Sequence, residues 1–566
     1  MSRKAIKSTA LMLALCTTVT LFAACGKTGP AEDTAGASAN TAAASSSAAA
    51  PSEAVKLDPV TLEFYLPSGS ANVNDLDLVL EEFYKQTKET LNTTLHFNFT
   101  TFDDIGQKVS LKLAAGEQVD SAFAAQWTNP SLDQMTSKGQ LVALDKYFTD
   151  DNYPGLKKAF TQDYLKNNSF KDAKGETHVY GIPFSHSFSG GSAIYYRQDL
   201  AEKYGISDIQ SFEDLTRFYD AILQNEKGMI PFSYLGTTDA LAETLVLNML
   251  PATEKHNFDI TTFNGEYGVA IKDDGTAYVA NTVNPFADPE FLKLLPEPLK
   301  TIDPYLGYNT AREWYKKGYL EKDILSQKDA EAQFKAGKAA SYLRGLDTYT
   351  SIQVALEKGI AGAKLGTFIV NHGLRTGTPK ELDTDFKSWN FACVPVTSKN
   401  ADRTMAFYNW LFADQKNHDL FELGIEGKHW VADGTSKYSL PAGLTADKSY
   451  NFTSATLTWN PTMIRYDAAT PDFVVEAMNR LSDTNFYYKR PLTGFNFVSD
   501  SLKSEVAKMN DLKTLKLAAA NGVIDNIPAA LGDIQKRKDK AGFQKIREEL
   551  TKQINAFLKE NPYEGQ

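Results

Sequence analysis

The stretch VTLEFYL, Val60 to Leu66, decides how the rest of the chain is read. Val60, Leu62, Phe64 and Leu66 alternate with Thr61, Glu63 and Tyr65. Successive strand side chains point to opposite faces, so this pattern predicts a strand. PSGSAN (Pro67 to Asn72) follows as a turn, and DLDLVLEEFYKQTKETL reads as an amphipathic helix. LHFNF (Leu95 to Phe99) alternates again, a second helix is expected from about Ile105 to Ala115, and VDSAFAA (Val119 to Ala125) reads as a short buried strand. Strands alternating with helices of this length imply βαβ units and a largely parallel sheet, an α/β body.

Helical patterns dominate further along. SFEDLTRFYDAIL opens with Ser211 three residues before Asp214, which resembles a capping box. AREWYKKGYLEKDIL ends a helix near Gly318. Leu502, Val506, Met509 and Leu512 form one helical stripe, with Gly522 as a stop. Phe543, Ile546, Leu550, Ile554 and Phe557 form another, closed by Asn561 and Pro562. No internal repeat of about 20–50 residues is found.

The N-terminal part differs from the body. MSRKAIK carries Arg3, Lys4 and Lys7, and an apolar run from Ala10 to Ala24 follows. That run is shorter than the roughly 20 residues of a spanning helix. It reads as a signal peptide over residues 1–24. LFAAC resembles a bacterial lipobox, in which Cys25 becomes the N-terminus and receives acyl chains such as palmitate; Phe22 stands where Leu is preferred. Residues 25–57 then form the lipidated cysteine and a tether almost free of large apolar side chains. Such a tether has an end-to-end distance on the order of 30 Å.

Composition bounds the body, residues 58–562. The chain's net charge is −11, and removing the signal's three cations gives −14, a poor match to nucleic acid. Without Cys16 and an acylated Cys25, only Cys393 remains, so no internal disulfide can form. Length alone implies at least two domains. No run of about 18 apolar residues follows residue 57.

Catalytic and cofactor signatures are missing. The seven histidines include no H-E-x-x-H pair, and there is no C-x-x-C, phosphate loop, nucleophile elbow or dinucleotide fingerprint. No metal or cofactor is therefore expected. The 26 Tyr, 33 Phe and 6 Trp suit a sugar site and equally a large core. Trp410 and Trp314 lie in apolar helical settings and are expected in the core, and Trp389 near it. Trp127 follows a short strand and precedes a turn, the place where open α/β sheets bind ligands, so it is a candidate stacking platform. Trp459 in LTWNPTM stands at a similar transition. Carboxylates are numerous enough that a pair able to cleave a glycoside stays open.

A set of ordered motifs gives a more specific indication. They are LVALDKYF (Leu141 to Phe148), YGIPFSHS (Tyr180 to Ser187), AIYYRQDLAEKYGI (Ala193 to Ile206) followed by SFEDL, WYKKGYLEKDIL, QFKAGKAASYLRG and FACVPVTSKNADRTMAFYNWLFAD. Together they resemble the extracellular solute-binding proteins of family 1, which deliver sugars to ABC importers. GIEGKHW and the segment from Gly494 onward resemble a longer, Gram-positive-type subgroup with an uncharacterised C-terminal extension.

The resemblance implies a two-lobe, periplasmic-binding-protein-like fold with a hinge and a ligand cleft between the lobes, and a helix-rich C-terminal part. The first lobe would span mainly 58–183 plus a later return segment, the second mainly 184–390, and the extension about 490–562. YGIPFSHS would be the first crossing, with Pro183 stiffening it. Cleft loops would carry PSGSAN, Trp127, Ser185, His186, Tyr234, Asp239 and Arg344, with Trp459 added from its own setting. The expected protein is a monomeric, lipid-anchored receptor on the extracellular face of the cell membrane. It would capture an oligosaccharide and pass it to ABC permease subunits, with no catalytic residues. The rival readings are a surface glycoside hydrolase or lyase, and a receptor of the same fold for a peptide or other small molecule.

Overall fold

The computed structural model describes residues 57–68, 73–206, 208–250, 253, 255–384 and 386–565. The signal sequence, Cys25 and residues 26–56 of the tether lie outside the described residues, as does most of the PSGSAN turn.

Val60–Pro67 forms the expected strand and pairs in parallel with Thr93–Thr100 along its whole length, and with Ser121–Ala125 on its other side. Its alternation is incomplete: Tyr65, expected to face outward, is buried with Leu62, Phe64 and Leu66. A central parallel strand is covered on both faces. Here the second face lies under helix Ile105–Ala114, whose Lys108 Nζ sits 5.8 Å from the Tyr65 ring centroid.

Helix Leu76–Thr87 buries Val79, Phe83 and Thr87, which are four residues apart and so share one stripe. Phe83 packs edge-on against Phe407, Trp410 and Phe421, at 5.0–5.6 Å between centroids. Those three come from helices Ala401–Leu411 and Gln415–Glu422, so late sequence completes the first core. The sheet is completed by Asn390–Cys393, which runs antiparallel between Ser121–Ala125 and Ile182–Phe184.

The second lobe is built on Ser192–Arg197, flanked by Ser341–Gly345 and Leu365–Ile369, both antiparallel. The expectation of parallel pairing therefore fits the opening strands of the first sheet and not this one. Strand direction here is set by where long helical segments return, which local periodicity does not carry. Ser211 caps helix Phe212–Asn225, accepting from the Asp214 N–H at 3.1 Å. Gly318 closes helix Leu306–Lys317 with φ of 83°, the left-handed cap expected there. Trp314 is buried, as expected. Tyr466 and helix Asp472–Leu481 pack into this lobe as well, so the chain returns to it after Met463.

A third core joins distant parts of the chain. The antiparallel strands Phe258–Thr261, Tyr267–Ile271 and Ala277–Val279 form a meander under helix Phe543–Glu560. Phe543, Ile546, Leu550 and Ile554 are buried as their spacing predicts. Leu558 takes the last buried place, while Phe557 turns edge-on to Phe495 at 5.6 Å. Helix Ile527–Ala541 is pinned to the meander by Lys538, whose fully buried ammonium donates to Glu266. Burial pushes that ammonium below its usual range, with the Glu266 carboxylate opposing the shift.

Among the described residues no helix is long and apolar enough to cross a membrane, and the one cysteine, Cys393, is buried and unpaired. Removing one partner of a buried ion pair costs about 3–5 kcal/mol, whereas replacing both by apolar side chains is far less harmful. Glu266→Ala is therefore expected to lower the free energy of urea unfolding by about 3–5 kcal/mol. Adding Lys538→Met to that variant should recover most of the loss.

Candidate functional site

The register of the first sheet gathers one group of residues. Asn390 pairs with Ala125 on one side and with Phe184 on the other. The residues just beyond, Trp127, Trp389 and Ser185, therefore stand at one end of the sheet. This is the carboxyl end of its parallel strands, the usual ligand edge of an open α/β sheet.

From this rim opens a cavity of about 500 Å³. Its lining includes Ser185, His186, Trp389 and Trp459. Charged groups line it as well: Asp347, which follows strand Ser341–Gly345, together with Asp383, Lys387 and Arg490. Three separate passages of chain thus line it: residues 184–191, residues 383–384 with 387 and 389–390, and the loop bearing Trp459.

The wall is held by a hydrogen-bond chain. Tyr164 Oη donates to Ser185 Oγ at 2.8 Å, Ser185 Oγ donates to Ser388 Oγ at 3.2 Å, and Ser388 Oγ donates to the Phe184 carbonyl at 2.5 Å. Burial pushes the Tyr164 hydroxyl up to about 12, so it remains a donor. The Trp459 loop is fixed from both sides. Asn390 Nδ2 donates to the Ala455 carbonyl at 3.1 Å, and His418 Nε2 lies 2.9 Å from the Thr458 carbonyl. The Trp459 ring rests 5.4 Å from that of His186.

The charged side is also tied down. Arg490 is paired with Asp383, and Lys387 donates to Asn496 Oδ1 at 2.7 Å and to the Phe495 carbonyl at 3.2 Å. Burial works against the Arg490 charge, but Asp383 and Asp259 more than offset it and hold the guanidinium above its usual range. Burial depresses His186 below 6.5, with Asp347 and Glu422 opposing. The site is therefore a mixed surface of flat rings, neutral imidazole and fixed charges. Among the described residues no group of His, Cys, Asp and Glu is arranged to hold a metal ion.

Residues 80–426, more than half of the chain, match the model of the bacterial extracellular solute-binding protein family. The chain belongs to that family. Residues 491–559 of this solute-binding protein match a second model, a domain of unknown function (DUF3502). A relative in Streptococcus pneumoniae, described as a carbohydrate ABC transporter substrate-binding protein, is 22% identical over 496 residues, covering 86% of this chain and 89% of that one. Among solved structures, the N-glycan transport solute binding protein NgtS of S. pneumoniae aligns with a TM-score of 0.66 at 20% identity, over 89% of this chain and 100% of that chain. The HMO-binding solute binding protein of Bifidobacterium longum infantis gives 0.56 at 16% identity, over 88% and 99%. The S. pneumoniae protein FusA in complex with kestose gives 0.54 at 15% identity, over 88% and 100%. These likenesses establish the two-lobed fold.

Within this solute-binding protein, the residues singled out from sequence separate into two groups. Ser185, His186 and Trp459 meet at the cavity. Trp127 stands on the same rim, 44% exposed, its ring 6.1 Å from Phe102 and 5.8 Å from Phe123, outside the cavity lining. Tyr234 is buried in the second lobe, its hydroxyl 2.9 Å from Thr244 Oγ1. Asp239 is exposed, and its carbonyl accepts from Asn521 Nδ2 at 3.0 Å. Arg344 faces solvent and pairs with Glu331 at 3.5 Å.

Trp389 reverses an expectation. Sequence context put it near the core, yet it is 76% exposed and lines the cavity. Its neighbours Ser388 and Asn390 are buried, so alternation turns the indole outward. An aromatic residue flanked by two small polar ones at a strand start was the available signal. Asp347, Asp383, Lys387 and Arg490 carry no local signal, because they come from three separate passages of chain.

The His186 shift has a sign that can be checked. With the folded value below 6.5, the unfolded chain takes up the proton first, so His186 costs stability as pH falls below about 6.5. His186→Gln should therefore lose less melting temperature than the wild type between about pH 7 and pH 5. Thermal unfolding at the two pH values measures the difference.

Proposed function

We propose that this protein captures a carbohydrate, specifically an oligosaccharide, in the cavity between its lobes and delivers it to the membrane subunits of an ABC importer. The observation that carries the reading is the pairing of Trp459 and Trp389 with fixed polar groups around one cavity of about 500 Å³. Pyranose rings have apolar C–H faces and a rim of hydroxyls. Flat indoles cover the first, and carboxylates, amides and cations bond to the second. The names of the pneumococcal relative and of the solved neighbours support the same class of ligand.

Capture follows from closure. The lobes are joined by several passages of chain, and a ligand touching both lobes favours the closed form by its differential affinity for it. Turnover of the glycan is not part of this reading. The protein acts as a monomer on the extracellular side, moored by acyl chains on Cys25. More than one chain is needed for lasting attachment.

Two measurements test this. A thermal-shift screen of the mature protein against a glycan panel should give a rise in melting temperature with some oligosaccharides and none with peptides. Chromatography of each hit should show no products; new reducing ends would replace the receptor by a hydrolase. Trp459→Ala and Trp389→Ala should each weaken the best glycan by about tenfold, read by calorimetry. For the anchor, Cys25→Ser in the full-length chain should move the protein from the membrane fraction to the culture medium.

A further inference from the structure

A second cavity, of about 590 Å³, lies on the other side of residues 189–191. It shares Ser189, Gly190, Gly191, Asp383, Leu481 and Arg490 with the first, so the two adjoin along one ridge. The two glycines of that ridge differ. A Cβ on Gly191 would stand 2.5 Å from Leu481 Cδ1 and 3.0 Å from Leu346 Cδ1, so a larger residue here would push the leucine tips that pack over it. A Cβ on Gly190 would meet nothing within 4 Å, and Gly190 is exposed. The ridge is therefore free of side-chain contacts at Gly190, which lines both cavities.

The second cavity has a platform of its own. The rings of His256 and Tyr488 are stacked 3.6 Å apart at 4°, and both line it, together with Phe258 and Phe368. Its charged groups are engaged: Arg490 pairs with Asp383 and is also held by Asp259, and Glu381 lies 2.8 Å from His372 Nδ1. Arg375 donates to the carbonyls of Ile369 and Val370. Flat rings with engaged charges and three carboxylates to two arginines suit neutral, hydroxyl-rich residues better than an anion.

We propose that the ligand groove runs over Gly190 into this second cavity, so that the protein selects a neutral glycan longer than the first cavity holds, with the far sugars seated on the His256–Tyr488 stack. This rests on the carbohydrate reading above. It also gives the C-terminal domain of unknown function a task. Tyr488 and Arg490 directly precede it, and Lys387 fastens its first residues, Phe495 and Asn496, beside the groove. His256, stacked on Tyr488, and Phe258 lead into the meander on which the domain's last helix packs.

The test is a length ladder. Manno-, fructo- and β-1,4-gluco-oligosaccharides, from disaccharide to octasaccharide, are titrated calorimetrically into the mature wild-type protein and three variants. In the series that binds, wild-type affinity should rise at least about tenfold once the chain outgrows the first cavity. Tyr488→Ala should remove that gain while leaving the shortest binder at its wild-type affinity. Gly190→Trp should also remove the gain by filling the passage, and Gly190→Ala should retain it, which controls for folding and hinge motion. Short sugars binding with no dependence on length, or a length gain unchanged in Tyr488→Ala and Gly190→Trp, overturns the extended groove and leaves the carbohydrate reading intact. No binding anywhere in the ladders overturns both.

Discussion

The site depends on one strand. Asn390–Cys393 is inserted antiparallel between Ser121–Ala125 and Ile182–Phe184, after the chain has already built the central sheet of the second lobe. Its insertion forces two crossings to lie side by side. Ser388 Oγ then donates to the Phe184 carbonyl, so one crossing is fastened to the other. Only with this pairing do Ser185, His186 and Trp389 share a wall. Asn390 also reaches the Ala455 carbonyl, and so sets the loop that carries Trp459. The base from which the crossings leave is a continuous, hydrogen-bonded piece of the first sheet.

Legibility followed the range of the interaction concerned. Elements fixed by neighbours in sequence were readable: Val60–Pro67, Leu76–Thr87, Ile105–Ala114, the Ser211 cap and the Gly318 stop. Tyr65 departs from the alternation because that pattern assumes one wet face, and Tyr65 is buried along with Leu62, Phe64 and Leu66. Sites were readable only in part. Every strand end is a candidate for binding, but sequence does not say which ends face the cavity. Ser185 and Trp459 do. Tyr234 follows Ser233, which bridges to Tyr342, and its ring is drawn into the second core. Arg344 and Asp347 are three residues apart, yet Asp347 lines the cavity and Arg344 pairs with Glu331 on the surface.

The polar groups of the cavity are largely engaged before any ligand arrives. Ser185 is in a hydroxyl chain, Asp383 holds Arg490, and Lys387 is bonded to the C-terminal segment. Ordering these side chains is thus part of folding and is not repeated on binding, which removes a cost that otherwise offsets affinity. The same engagement narrows the chemistry on offer. Hydroxyls can add to such groups through spare lone pairs and donors, whereas a ligand carrying full charge would compete with ion pairs already made.

The C-terminal unit follows from this arrangement. A surface domain that only decorated the second lobe would need contacts to its own meander, and the Phe543–Glu560 helix supplies those. The contacts of Lys387 are of another kind, because they join the unit to the passage between lobes. Strand Tyr487–Lys489 reinforces them by pairing in parallel with Leu382–Thr384, in that same passage. Lys166, on the first lobe's helix Gln162–Asn167, also lies 3.5 Å from Asn561 Oδ1. The unit is thus bonded to the first lobe and to the passage between lobes. In the closure proposed above, any of these contacts that differ between the open and closed forms would add their interaction energy to the balance between those forms.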